Sequence, residues 1–416
     1  MTTVAGEEWF NDAALGRVLA LLNADGGEGR VVGGAVRNSL MGLAVADVDL
    51  ATTLLPDAVI ARAKAANIKS VPTGVAHGTV TLVVDGKPFE VTTLRKDVET
   101  DGRHAAVAFS TDWQTDAERR DLTINALYAG ADGEVVDLVG GLADIGTRTI
   151  RFIGDAATRI AEDHLRILRY FRFFAYYGTG RPDAAGLRAC AAGRSSLASL
   201  SAERVWSETK KLLAAPDPGR ALLWMRQVGV LVEILPETEK WGIDAIPSLV
   251  ATEQALAWPA DPLLRLASIV PPDAARLAAL AERLRLSKAD AARLAAWAAS
   301  PVINDEISSA ALNQLLYLHG ADGIVTRLKL ALAVARGKAE GDIAEMARTA
   351  RLGKLLDAAA RWKKPAFPIG GADALQEGVP PGRQVGELLA KLELQWVESN
   401  FVMDRATLLA RLKELA

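Results

Sequence analysis

Leu15, Val18, Leu19 and Leu22 fall at helical spacing, and Gly26-Gly27 closes the run, so the chain opens on an amphipathic helix over about residues 11–22. The period then changes. Val31-Val32 leads into Gly33-Gly34 and a second helical stretch from about Ala35, the acidic segment Asp47-Val48-Asp49-Leu50 reads as a strand, and another helix follows Pro56. Residues 79–84 and 87–94 flank Asp85-Gly86, which predicts a two-residue hairpin with Phe89 and Val91 facing the core and Glu90 and Thr92 sharing the other face. The polar stretch 95–104 has no period and reads as a mobile loop. From about Thr158 onward the pattern is 3.6-periodic, Ala-rich and Leu-studded, interrupted by Pro216, Pro236, Pro259, Pro271-Pro272, Pro301, Pro365 and Pro380-Pro381, with Ser287-x-x-Asp290 as a helix cap. Four blocks result: a mixed helix-and-strand region over 1–150 and helical blocks over 151–215, 216–300 and 301–416.

Composition narrows the class of protein. Of 416 residues, 50% are hydrophobic and 24% charged, which describes a well-cored globular chain of several domains. A single cysteine, Cys190, excludes an internal disulfide and any multi-cysteine metal site, and its Ala-rich surroundings assign it to packing. No leader pattern is found in Met1 to Phe10 and no run of 18 apolar residues occurs, so a cytoplasmic protein with no membrane partner is expected. The net charge of −3 argues against nonspecific coating of nucleic acid, so any RNA partner must be met by a local basic surface. Arg348, Arg351 and Lys354, at helical spacing, offer such a stripe.

Candidate chemistry gathers in the first half. Asp47 and Asp49, placed i and i+2 on a strand, would point to one face and could share hard cations. Gly33 and Gly34 allow the backbone to approach a phosphate closely, and Arg37, one turn into the following helix, adds a charged fork. Each pattern alone is common in ordinary turns and strand ends. Their succession within about twenty residues points to metal-dependent nucleotidyl transfer on a triphosphate. Glu90 is a third carboxylate that could ligate metal or take the proton of an attacking hydroxyl, or be a plain solvated strand residue. Arg119-Arg120 reads as a basic start to an amphipathic helix, an arrangement that the helix dipole disfavours and that calls for an anionic partner, with triphosphate the natural candidate.

Asp163, Arg166, Arg169 and Arg172 recur every three residues and predict a polar stripe on a single helix. As surface ion pairs these would contribute little. The functional alternative is base reading: cytosine and adenine both present an amine donor beside a ring-nitrogen acceptor, which Asp163 and Arg166 could match while rejecting uracil and guanine.

Gly33-Gly34-x-x-Arg37, Asp47-Val48-Asp49, Arg119-Arg120-Asp121-Leu122-Thr123-Ile124-Asn125, Glu162-Asp163-x-x-Arg166 and Ser201-Ala202-Glu203-Arg204 resemble, in order and spacing, the class II tRNA nucleotidyltransferases and bacterial poly(A) polymerases. The resemblance implies an α+β head of the polymerase β type with a mixed sheet, followed by an all-α neck, body and tail. It further implies Mg2+ on Asp47 and Asp49, triphosphate on Gly34, Arg37 and Arg120, base reading by Asp163 and Arg166, and support of nucleotide or primer from Arg169 and Arg172. Glu203-Arg204 would brace the neck, and Asp101-Gly102-Arg103 would be the loop that switches a CCA-adding enzyme from CTP to ATP. Three positions depart from the pattern: Asn38 stands for Asp, His164 for Pro and Ala105 for Pro. The expected activity is addition of C, C and A to tRNA from CTP and ATP. Poly(A) polymerase and CC-only addition are the nearer alternatives and a noncatalytic RNA-binding protein the remoter one.

Overall fold

The computed structural model describes residues 1–101 and 104–415, and side chains at 97–107 lie outside the description. The chain falls into two compact units, Met1–Pro236 and Glu237–Ala416.

In the first unit the strands are β1 (Gly29–Val32), β2 (Asp49–Thr52), β3 (Lys69–Gly74), β4 (Thr79–Val84), β5 (Lys87–Thr93), β6 (Arg95–Asp101), β7 (His104–Phe109), β8 (Leu127–Ala129) and β9 (Val135–Asp137). Seven of them form one mixed sheet in the order β3-β4-β5-β2-β1-β8-β9. Within it β2 and β5 run parallel, and their register sets Asp49 opposite Glu90. The helices are α1 (Ala13–Asn23), α2 (Gly34–Leu40), α3 (Pro56–Ala65), α4 (Trp113–Glu118), α5 (Gly141–Thr147), α6 (Ala156–Glu162), α7 (Arg166–Tyr177), α8 (Ala184–Gly193), α9 (Ala202–Leu213), α10 (Gly219–Gln227) and α11 (Val230–Ile234).

Local chemistry explains the elements that position the site. Asp12 caps α1 by accepting from the Ala14 N–H at 2.7 Å, and Leu15, Val18, Leu19 and Leu22 are buried as their spacing predicts. Asp85 (φ 51°) and Gly86 (φ 80°) make the tight turn between β4 and β5, whose first pair is Val84 opposite Lys87. That hairpin buries Phe89 and Val91 and leaves Glu90 open, as the alternation requires. Cys190 is fully buried.

Four expectations are corrected. The stretch 95–104 is not a loop in its described residues: Arg95–Asp101 form β6, paired antiparallel with β7, and the polar run of β6 carries no apolar alternation to betray a strand. Asp47 lies ahead of β2, which begins at Asp49, so the two aspartates do not share a strand face. Arg119-Arg120 does not open a helix. It follows the C-terminus of α4, where the dipole favours cations, and the apolar residues behind it form a 3₁₀ turn (Thr123–Asn125) and β8. The stripe from Asp163 to Arg172 is not one helix, since Asp163 is extended (φ −153°) between α6 and α7.

In the second unit every regular element among the described residues is a helix: α12 (Ala245–Ala255), α13 (Pro262–Ile269), α14 (Ala274–Arg283), α15 (Lys288–Ala299), α16 (Ser309–His319), α17 (Ala321–Lys338), α18 (Ile343–Arg361), α19 (Gly371–Gln376), α20 (Arg383–Glu398) and α21 (Arg405–Leu415). Ser287 caps α15 through the Asp290 N–H at 3.1 Å, as its spacing predicts. One core gathers Leu316, Ile324, Leu328 and Leu352, and a second gathers Tyr317, Leu392, Trp396 and Leu408. No described helix is long and apolar enough to cross a membrane.

Candidate functional site

The first unit holds a cavity of roughly 700 Å3, a volume suited to a nucleotide. Gly33, Gly34, Asp49, Glu90, Arg37, Arg120, Asp163, Arg166, Arg169 and Arg172 all line it. Residues from five motifs spread over 140 positions are thereby brought around one cavity. Asp47 is exposed and outside that lining, yet near enough for its charge to act on Asp49. Asp101 ends β6 with its side chain outside the described residues, and Arg103 lies outside them altogether.

Gly33 is required by its backbone: at φ 72° it caps α2 while its N–H donates to Leu127 O at 3.0 Å, and a Cβ there would also stand 3.4 Å from Asn125 O. Arg37 is buried and fully engaged. It donates to Asn125 Oδ1 (2.5 Å), to the Tyr177 hydroxyl (2.8 Å) and through Nε and Nη2 to Asn38 Oδ1 (3.1 and 2.9 Å), and it stacks 4.2 Å over the Tyr177 ring. Burial, and then the like charge of Arg172, holds its guanidinium below the usual arginine value despite the Tyr177 contact. Asn38, the first departure from the motif, therefore still orients Arg37, and its own amide donates to Ala44 O at 2.9 Å.

The carboxylate side is short of positive charge. Burial pushes the Asp49 carboxyl up, and the negative charges of Glu90 and Asp47 push it further, against a partial pull from Arg120. Hard divalent cations are the natural remedy for such a set of oxygen donors. Among the described residues no three His, Cys, Asp or Glu side chains form a complete cage. An ion shared between one or two carboxylates and substrate phosphates needs none, so the donor set fits a hard divalent cation.

The opposite side is an array of arginines, each fixed by an acid. Arg119 and Arg120 both bind Asp116, at 2.6 and 3.0 Å. Arg166 pairs with Glu162 and donates to the carbonyls of Arg159 (3.0 Å) and Arg119 (3.3 Å). Arg159 in turn donates to Glu118 O at 2.9 Å, so the end of α4 is capped by two arginines from α6 and α7. Arg169 binds Asp121 and Arg172 binds Glu208, each at 2.6 Å, and Arg204 binds Asp163 at 2.8 Å. Burial would raise the Asp116 and Asp121 carboxyls, but their arginine partners hold both below the ordinary carboxylate value.

Two consequences bear on the sequence reading. Asp163 is paired with Arg204 rather than with Arg166, and the anionic partner of Arg119-Arg120 is Asp116. Sequence reasoning singled out the arginines and missed Asp116, Glu208, Phe173 and Tyr177. Asp116 was within reach, since it stands three and four residues before the two arginines. Glu208 and Tyr177 give no local signal, because only the packing of α7 on α9 and on α2 brings them in.

Comparison with known proteins supplies the context. Residues 29–151 match the poly A polymerase head domain, and residues 184–241 match the probable RNA and SrmB-binding site of polymerase A. The chain is 33% identical to CCA tRNA nucleotidyltransferase 1, mitochondrial, of Danio rerio over 98% of its own length and 92% of that protein. It is 36% identical to the Mus musculus protein of the same name over 92% and 86%. A crystal structure of the Bacillus stearothermophilus CCA-adding enzyme in complex with CTP superposes with a TM-score of 0.75 at 26% identity, covering 97% of this chain and 96% of that one.

Proposed function

The chain belongs to the class II tRNA nucleotidyltransferase and poly(A) polymerase family, and from that premise we propose that it adds C, C and A to tRNA 3′ ends from CTP and ATP. The tRNA 3′-hydroxyl attacks the α-phosphate and pyrophosphate leaves. One observation carries the chemistry: a mutually repelling carboxylate set, Asp49 beside Glu90, faces anchored guanidinium groups across one nucleotide-sized cavity. Over almost the full length of the chain, relatives at 33–36% identity bear the name CCA tRNA nucleotidyltransferase, which favours CCA addition over poly(A) synthesis.

Asp49 and Asp47 are the residues that would hold Mg2+. When bound, the ion supplies charge for the attacking and leaving oxygens of an in-line displacement. Glu90, open to the cavity beside Asp49, completes the set or receives the proton of the attacking hydroxyl. Gly33 and Gly34 leave room for the triphosphate, and Arg120 is the arginine whose charge reaches Asp49. Arg37, buried against Tyr177 and Asn125, shapes the phosphate end from behind. Asp163 reads the base amine with lone pairs not taken by Arg204 and the Leu165 N–H, and Arg166 supplies the complementary donor. Arg169 and Arg172 stiffen this face. Asp101 to Arg103 serve as the switch from CTP to ATP, with the ribbon β6–β7 as its base.

The test uses purified protein, tRNA lacking its 3′ end, Mg2+, and CTP, ATP or both. Two cytidines and one adenosine with stoichiometric pyrophosphate are expected. A long adenosine tail would make the protein a poly(A) polymerase, arrest after two cytidines a CC-only enzyme, and no pyrophosphate an RNA-binding protein.

A further inference from the structure

Asp116 is 1% exposed, sits in the last turn of α4 and does not itself line the cavity, yet it holds two arginines that do. One carboxylate oxygen accepts from Arg119 Nε (2.8 Å) and Nη2 (2.6 Å), and the other accepts from Arg120 Nη2 (3.0 Å) and Nε (3.3 Å). The Tyr128 hydroxyl donates to that second oxygen at 2.8 Å, accepts from Arg120 Nε at 3.2 Å, and is itself fixed by an edge-on Trp113 ring 5.2 Å away. A single buried acid thus grips both guanidinium groups by their inner edges and turns their outer edges to the cavity.

The grip matters because of what lies opposite. An arginine at position 120 released from Asp116 has an attraction that competes with substrate phosphate, namely the carboxylates Asp49 and Glu90, which stand in register on β2 and β5 and line the same cavity. A guanidinium that swung across would occupy the cation positions and withdraw a phosphate donor at once. We propose that Asp116 is a positioning residue that, with Tyr128, keeps Arg119 and Arg120 as a fixed phosphate-facing pair and prevents Arg120 from collapsing onto the carboxylates. The inference rests on the nucleotidyl-transfer reading above.

Charge and position predict opposite signs for its removal. Asp116→Asn takes one negative charge away from a triphosphate site, so by electrostatics alone CTP should bind more tightly. Loss of positioning makes CTP bind more weakly, because the guanidinium edges are no longer aimed, and misplacement of this kind costs on the order of a hundredfold in rate. Kinetics of CTP addition to trimmed tRNA, with calorimetric titration of CTP into the protein in Ca2+, separates the two. For Asp116→Asn the expected result is a tenfold or greater rise in KM and Kd for CTP, a fall in kcat and an unchanged KM for tRNA. Tyr128→Phe keeps the buried ion pairs and should shift the same constants in the same direction by a few-fold, which protects the test if Asp116→Asn folds poorly. Tighter or unchanged CTP binding in both variants, with thermal destabilisation alone, overturns the positioning role. An inactive wild-type protein refutes the nucleotidyl-transfer reading instead.

Discussion

On the strand side of the cavity Asp49, Glu90 and the nearby Asp47 are carboxylates that burden one another, and Asp49 is held above its ordinary ionisation range as a result. On the helix side the charges are just as dense, but Arg119, Arg120, Arg166, Arg169, Arg172 and Arg204 are each tied to an acid from a neighbouring element. The difference follows from what each side has to bind. A cation completes a set of oxygen donors that repel without it, so that side is left unfinished and stores unfavourable charge. A phosphate is bound by donors already aimed at it, so the arginines are satisfied from behind and rigid in front. The same device without an evident site occurs in the second unit, where Arg348 and Arg351 pair with Asp305 and their neighbours Glu345 and Glu306.

Breaking the unfinished side should have the largest effect. Asp49→Ala, or Asp47→Ala, is expected to lower nucleotide incorporation by about a thousandfold or more while circular dichroism stays native, since neither carboxylate supports the core. Near-normal turnover in either variant would remove that residue from the metal set. Breaking the satisfied side should instead cost stability. Arg169→Ala leaves Asp121 buried without its cation, and chemical denaturation should show a loss on the order of 3 kcal/mol. An Asp121→Asn/Arg169→Ala pair that recovers most of that loss would identify the stranded charge as its cause.

The Asp163–Arg204 pair allows a finer test, because it joins base reading to the anchoring of α9. Asp163→Ala should relax discrimination against UTP, and Arg204→Ala should do so to a smaller degree if the pair sets the carboxylate's orientation. Uniform loss of CTP, ATP and UTP incorporation would mark Asp163 as structural only. In the second unit, changing Arg348, Arg351 and Lys354 together to Ala should flatten the log–log salt dependence of tRNA binding by about one unit rather than three, given the acids already bound to both arginines. A change of three units would show that RNA displaces those acids.

The smallest expected effect reads the stored charge itself. Because Asp49 ionises less readily in the folded chain than in the unfolded one, folding at neutral pH bears a cost that Asp49→Asn removes. The variant should melt slightly higher than wild type without divalent cations, the gain being small because Asp49 is open to solvent. That gain should vanish as pH falls below about 4, where the carboxyl is protonated in both states. A lower melting temperature would mean that the Asp49 charge is satisfied, with Arg120 the nearest candidate.

Local sequence determined what local physics controls. The turn at Asp85-Gly86, the open face carrying Glu90, the buried face of α1 and the cap at Ser287 each depend on residues a few positions apart, and each was legible. The motif arginines and aspartates were legible as an ordered set. What the sequence could not give was which charge meets which. Asp163 stands three residues before Arg166 but binds Arg204, forty-one residues away, because the chain is extended at Asp163 and the two helices are offset there. Arg172 finds Glu208, and Arg37 finds Tyr177 across 140 residues, only because α7 meets α9 with one residue and α2 with another. Ion pairs are selected by distance in space, and a one-dimensional pattern fixes that distance only within a helix turn or a strand register.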